Sequence, residues 1–175
     1  MITAERLATL LANYVRQSGS HVDLLLVGGL AVQAYGDARR STKEVDGEVV
    51  GDLGGLAHFL WTHQIPADLG DDFSRRSVVA MPPGYRQRAT VLGEGPGFCM
   101  RVLHPTDFVV AKLRRGTAED VDDAASVAAR FGVTAAAVGE AADAAVGASP
   151  KDTALFLFRK TVEQFCARLQ ASQSG

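Results

Sequence analysis

The sequence predicts an α/β (α+β) fold in which a mixed sheet is flanked by helices and followed by a helical C-terminal half. Three observations predict it. The apolar run Asp23-Leu-Leu-Leu-Val27 does not alternate and ends in Gly28-Gly29, the pattern of a buried strand that turns sharply. The segment at 43–50, Lys-Glu-Val-Asp-Gly-Glu-Val-Val, has the period of two expected of a strand with distinct faces. From Pro105 onward the composition shifts to alanine-rich, charged sequence that favours helix. At 175 residues and 47% hydrophobic content the chain fits one domain with a real core. Its sheet-containing core is expected over about 20–105 and its helical part over about 106–170.

The elements follow in order. Leu7, Leu10, Leu11, Tyr14 and Val15 recur at helical spacing, and Gly19 is placed to end that first helix. After the strand at 23–27 a short helix is expected over 30–35, ended by Gly36. The strand at 43–50 then puts Glu44, Asp46 and Glu48 on one face. Residues 53–63 read as a helix, and 77–81, 88–92 and 98–103 as short strands separated by Pro82-Pro83-Gly84 and by the stretch 93–97. The helical half should break at Gly116, at Gly132 and at 147–150. Leu155, Phe158, Val162, Phe165 and Leu169 give the last helix one apolar stripe, read as core or alternatively as a partner interface.

Charge and cysteine usage narrow the function classes. Eighteen basic against twenty acidic side chains, a formal net charge of -2, predict no large affinity for a nucleic-acid backbone or an anionic membrane. Cys99 and Cys166 lie on apolar stretches without CxxC spacing and read as buried thiols. His21, His58, His63 and His104 have no ligand spacing with either cysteine and read as structural or surface residues. The first nineteen residues hold no apolar run long enough for a membrane span or a signal core, so a cytoplasmic protein is expected.

The chemistry is carried by one constellation: a strand, a Gly-Gly turn, a short helix, then a strand with carboxylates two residues apart. Nucleotidyl transfer needs a divalent cation to neutralise triphosphate charge, and Mg²⁺ is typically held by one or two protein carboxylates together with substrate oxygens. Glu44 and Asp46 supply such carboxylates. Gly28 and Gly29 let backbone approach a phosphate with no β-carbon in the way, and N–H groups at the following helix start can face the anion.

These residues resemble the minimal nucleotidyltransferase superfamily, in particular a branch of small bacterial proteins that includes AbiE-type abortive-infection toxins of toxin–antitoxin systems. The matching block is Val-Gly-Gly-Leu-Ala-Val-Gln-Ala-Tyr-Gly at 27–36, then Arg40, Thr42, Glu44 and Asp46 against a pattern R-x-T-x-D-x-D. Tyr85-Arg-Gln-Arg88, Pro105-Thr-Asp107, Lys112-Leu113 and Asp120-Val-Asp-Asp123 match further on, and the likeness covers about 20–130. It implies Mg²⁺ or Mn²⁺ on Glu44 and Asp46, catalytic roles for Glu44, Asp46 and Lys112, and nucleotide contacts from Gly28, Gly29, Arg40 and Thr42. The expected substrate is an NTP whose NMP passes to a hydroxyl on RNA, protein or a small molecule. An antitoxin-like partner or a homodimer is implied as well, and no membrane.

Two departures are visible. Glu44 stands where the pattern has aspartate, one methylene longer. Many members use a third carboxylate on a later strand as general base, and none of the later strands expected here has an acid in its interior. They motivate the alternative of a catalytically degenerate nucleotidyltransferase fold that binds nucleotide or a partner. Bland readings stand beside the others: Arg39 and Arg40 as surface charge, Thr106 or Asp107 as a helix cap or first-turn acid, Lys112 as a solvated lysine, and Asp120, Asp122 and Asp123 as acids opening a helix. Arg75, Arg76, Arg86 and Arg88 offer a weaker nucleic-acid alternative.

Overall fold

The computed structural model of the chain describes residues 1–36 and 42–173. It divides into two compact units, the first made of 1–73 and 89–103, the second of 74–88 and 104–175.

The first unit is built around strand β1, Val22–Leu26, every residue of which except Asp23 is buried. β2 (Val45–Gly51) pairs with it antiparallel and β5 (Phe98–Val102) parallel, so β1 has no open edge. β3 (Ala67–Gly70) extends the sheet parallel to β2, and β4 (Thr90–Gly95) extends it antiparallel to β5, giving the order β3-β2-β1-β5-β4. Partner residues in these ladders share a face. Val22, Leu24 and Leu26 therefore line up with Phe98, Met100 and Val102 on one side and with Gly51, Val49 and Gly47 on the other.

Helix α1, Ala4–Ser18, starts at Thr3, whose hydroxyl accepts from Arg6 N, and ends at Gly19 in the left-handed region. Its Leu7 and Leu11 are fully buried. The short α2, Gly29–Ala34, follows β1 directly, as the glycine pair predicts. Tyr35, its C-cap, is pinned by its hydroxyl to the carbonyl of Leu103. α3, Leu53–Thr62, is capped by Asp52, which accepts from Gly55 N at 2.9 Å and also from the hydroxyls of Tyr14 and Ser20.

Two sequence expectations change here. A strand at 77–81 is not formed. Residues 74–76 make a single 3₁₀ turn and 77–84 run irregularly, because side chains satisfy the backbone that a strand ladder would otherwise need. Ala80 N donates to Ser149 Oγ, Met81 N to Ser74 Oγ, and Val79 O accepts from Arg114 Nε. A strand starting at Arg88 is also replaced: Arg88 closes the one-turn helix α4, Tyr85–Arg88, and β4 begins at Thr90 and runs to Gly95.

The second unit is otherwise helical: α5 (Pro105–Arg115), α6 (Ala118–Phe131), α7 (Ala135–Gly147) and α8 (Ala154–Gln173). Gly116 and Gly132 end α5 and α6 in the left-handed conformation, and α7 stops at Gly147, where the glycines predict breaks. Phe158, Val162, Phe165 and Leu169 are buried against Val109, Leu113 and Val138, so the α8 stripe is core. Cys99 and Cys166 are free and half-buried rather than fully buried, and burial pushes both thiols up. Among the described residues no helix is long and apolar enough to cross a membrane.

Gly51 closes β2 at φ 115°, and a β-carbon there would lie 2.1 Å from the carbonyl oxygen of His21. Backbone cannot yield as a side chain would. We expect Gly51→Ala to lower unfolding free energy by about 2–3 kcal/mol, read from the shift of a urea midpoint.

Candidate functional site

The first unit gathers most of the sequence motif at one end of its sheet. β1 ends there at Leu26, and the antiparallel β2 starts there at Val45, with Val27 N donating to Asp46 O at 3.1 Å. Gly28 follows immediately. A β-carbon on Gly28 would lie 1.9 Å from Asp46 Oδ2 and 2.6 Å from Asp46 Cβ, so the Asp46 side chain occupies the space that any larger residue at 28 would need. The same relation, looser, holds between Gly29 and Thr42, where an added β-carbon would lie 3.1 Å from Thr42 Cβ. Turn and carboxylate strand are thus in direct contact, and glycine at 28 is a packing requirement.

The three acids read as one face of a strand separate by environment. Glu44 precedes the first residue of β2 and is exposed, and its backbone N–H and C=O are both bonded to Thr42 Oγ1, at 3.1 and 3.2 Å. Asp46 is half-buried inside the strand. Glu48 is only 2% exposed, and its Oε2 accepts from Phe73 N at 2.8 Å, so it ties down a distant segment of its own unit. β2 lies between β1 and β3 and is no edge strand.

Sequence reading missed the acid beside Asp46. β3 pairs parallel with β2 with Asp68 as the register partner of Asp46, which places the two residues side by side on the same face of neighbouring strands, about 4.8 Å apart along the hydrogen-bonding direction. A later strand therefore does carry an interior acid, contrary to the sequence expectation. The four residues Ala-Asp-Leu-Gly have no β-branched or aromatic member, and the one signal available was the end of the preceding helix just before Ile65-Pro66.

Arg40, expected at the nucleotide, lies outside the described residues, as does Arg39. Lys112 belongs to the second unit, on α5. Its Nζ donates to Asp120 Oδ1 at 3.1 Å and to Asp123 Oδ2 at 2.9 Å, both on α6, and lies 5.6 Å from the centroid of the Phe108 ring. It is a nearly buried lysine, not a solvated one. Asp120 is fully buried and also accepts from Arg115 through both oxygens and from Thr117 Oγ1. Burial alone pushes its carboxyl up, but the bonds from Arg115, Thr117 and Lys112 outweigh it and hold the group well below the usual carboxylate range. Asp107 is a buried first-turn acid on α5, paired bidentately with Arg88 at 2.8 and 2.9 Å, while the cap of that helix is His104, whose Nδ1 accepts from Thr106 N. Arg86 lies over the ring of Tyr85.

Carboxylate oxygens from Glu44 and Asp46 are hard donors of the kind that suits Mg²⁺ or Mn²⁺. Among the described residues no group of three or more His, Cys, Asp or Glu side chains is gathered to hold a metal. Two carboxylates leave the remaining positions of such an ion to oxygens from outside the chain.

The central strand of a mixed sheet thus runs into a Gly-Gly turn and α2, with the acid-bearing β2 beside it. The chain belongs to the family described as nucleotidyltransferase of unknown function (DUF6036), whose profile matches residues 5–133. No curated protein and no solved structure matches the chain.

The Asp120 cluster carries a pH dependence whose sign is fixed by the lowered group. A carboxyl depressed in the folded state contributes stability above its unfolded value of about 3.9, and that contribution is lost as pH falls through the folded one. Melting between pH 7 and pH 2.5 should show wild-type stability declining below about pH 4. Asp120→Asn should already be about 2–3 kcal/mol less stable at neutral pH and should decline less on acidification.

Proposed function

We propose that this chain is a metal-dependent nucleotidyltransferase that moves a nucleoside monophosphate from an NTP to a hydroxyl acceptor. The observation that carries the reading is the seating of the Asp46 carboxylate against the α-carbon of Gly28. A triphosphate approaching the bare backbone of Gly28 and Gly29 would arrive beside that carboxylate. The N–H groups of Ala31 and Val32 are taken by the Gly28 carbonyl, so phosphate oxygens would be met by those of Gly29 and Leu30.

Glu44 and Asp46 are the residues that would hold Mg²⁺ or Mn²⁺. The bound cation would supply charge neutralisation on the triphosphate. Asp68, beside Asp46 on β3, is the chain's candidate for accepting the proton of the attacking hydroxyl, the role for which the sequence offered no residue. Lys112 receives no chemical step in this reading. Its bonds to Asp120 and Asp123 support a helix-packing role.

The acceptor class, whether RNA, protein or a small molecule, is left to assay. An antitoxin-like partner rests on the resemblance to AbiE-type toxins alone, and use of NTPs implies a cytoplasmic protein. A second reading, a degenerate fold that binds nucleotide without turnover, draws on one observation: Glu44 is exposed and lies outside the strand that holds Asp46.

The test is pyrophosphate release and thermal stabilisation by each NTP, with and without Mg²⁺ or Mn²⁺. We expect metal-dependent release that falls about a hundredfold or more in Asp46→Asn, with the melting temperature of the free protein kept. Gly28→Ala should act in the same direction, since its methyl displaces the Asp46 side chain. Full activity in Asp46→Asn would sink the transferase reading, and NTP binding without pyrophosphate release would favour the degenerate one.

A further inference from the structure

We propose that Thr42 is a positioning residue of this site, acting through Gly29 and Glu44 rather than on the nucleotide, with Ile2 at the chain start as its anchor. The inference rests on the transferase reading for its functional consequence, and on geometry within the first unit for its structural content.

Three separate contacts converge on Thr42. Its Cβ stands 3.1 Å from where a β-carbon of Gly29 would be, so it forms a wall beside the glycine turn. Its hydroxyl accepts from Glu44 N and donates to Glu44 O, a local ring that fixes the peptide on both sides of Glu44 just before β2 begins. Its carbonyl accepts from Ile2 N at 3.1 Å. Ile2 is 2% exposed and precedes the Thr3 cap of α1. Ile2 is therefore buried and bonded to the residue that touches the turn on one side and the first acid on the other.

The consequence is mechanical. A threonine hydroxyl engaged with one residue's own N–H and C=O has its donor committed, so its worth lies in where it puts Glu44. Valine at 42 keeps the wall against Gly29 and the bond from Ile2 but releases Glu44. Serine keeps the ring and the β-carbon. Alanine at 2 leaves every side chain of the site in place and loosens the anchor of Thr42. If Thr42 instead bonded the nucleotide directly, valine would weaken binding while leaving the free protein's Glu44 unchanged.

The experiment uses the full chain and four proteins: wild type, Thr42→Val, Thr42→Ser and Ile2→Ala. Amide shifts and hydrogen exchange of Glu44 and Gly29 are recorded without nucleotide, and the Kd of each NTP with Mg²⁺ is measured on the same samples. We expect Thr42→Val to expose the Glu44 amide and to weaken NTP binding about fivefold to tenfold. Thr42→Ser should restore both, and Ile2→Ala should move the Gly29 and Glu44 amides and weaken binding in the same direction. An unchanged Glu44 amide in the free Thr42→Val protein would overturn the proposal, whatever the affinity. Absence of NTP binding by wild type would overturn the nucleotide reading instead, while the amides still decide whether Thr42 and Ile2 hold the turn and Glu44. Should Ile2→Ala unfold, the valine and serine pair decides the matter alone.

Discussion

Asp46 fills the space in which Gly28 would otherwise carry a β-carbon, and most of the candidate site follows from that contact. It fixes the distance between the bare glycine backbone and the carboxylate, two groups of opposite preference for charge. Here the ladder holds them: Val27 N bonds Asp46 O, and the five register pairs between β1 and β2 leave neither strand room to slip. A slip of one residue would turn Asp46 toward the side of Leu24 and Leu26 and bring Val45 or Gly47 to the other.

Topology then recruits the rest. An antiparallel partner of β1 must begin where β1 ends, so the connection from 27 to 44 keeps the turn, Thr42 and Glu44 at one end of the sheet. Because β3 runs parallel to β2, it begins at that same end, and α3 serves as the crossover between them. Asp68 comes to lie beside Asp46 by strand order alone, with no sequence motif joining the two. The glycines along this edge have separate reasons. Gly47 faces Leu24, with a β-carbon there 2.7 Å from its Cδ1, and so belongs to the core rather than to the site.

Legibility in the sequence divides along the same line between local and long-range causes. β1, the Gly-Gly turn, α2 and the helix ends at Gly19, Gly116 and Gly132 were readable because each is decided by residues next to one another. β3 was not readable, since Ala-Asp-Leu-Gly is a strand only because β2 offers it a ladder. The apolar stretch at 77–81 failed in the opposite way. Its valines satisfy a strand pattern, but Ser74, Ser149 and Arg114 from elsewhere in the second unit take up its backbone groups, and Val79 is buried among helices. For the site itself, Gly28, Gly29 and Asp46 were legible as a motif. The different fates of Glu44, Asp46 and Glu48 were not, because period two assigns a face but says nothing of what covers it. Lys112 shows the same limit: a lysine eight residues before an aspartate is common, and only the turn at Gly116 folds α6 back so that its acids meet the ammonium.

The helical charge cluster of the second unit shows how tightly packing constrains a set of charged residues. Asp120 is fully buried, and a buried carboxylate stripped of partners costs several kcal/mol, so its neighbours are constrained as tightly as catalytic groups would be. Arg115 is well suited to it, since a guanidinium meets both oxygens at 2.6 Å while the rest of the side chain remains exposed. Lys112 serves a different geometry, one ammonium bridging Asp120 and Asp123 a helical turn apart. Removing a partner of Asp120 leaves buried charge unbalanced, whereas the pairing of all of them fixes how α5 and α6 register.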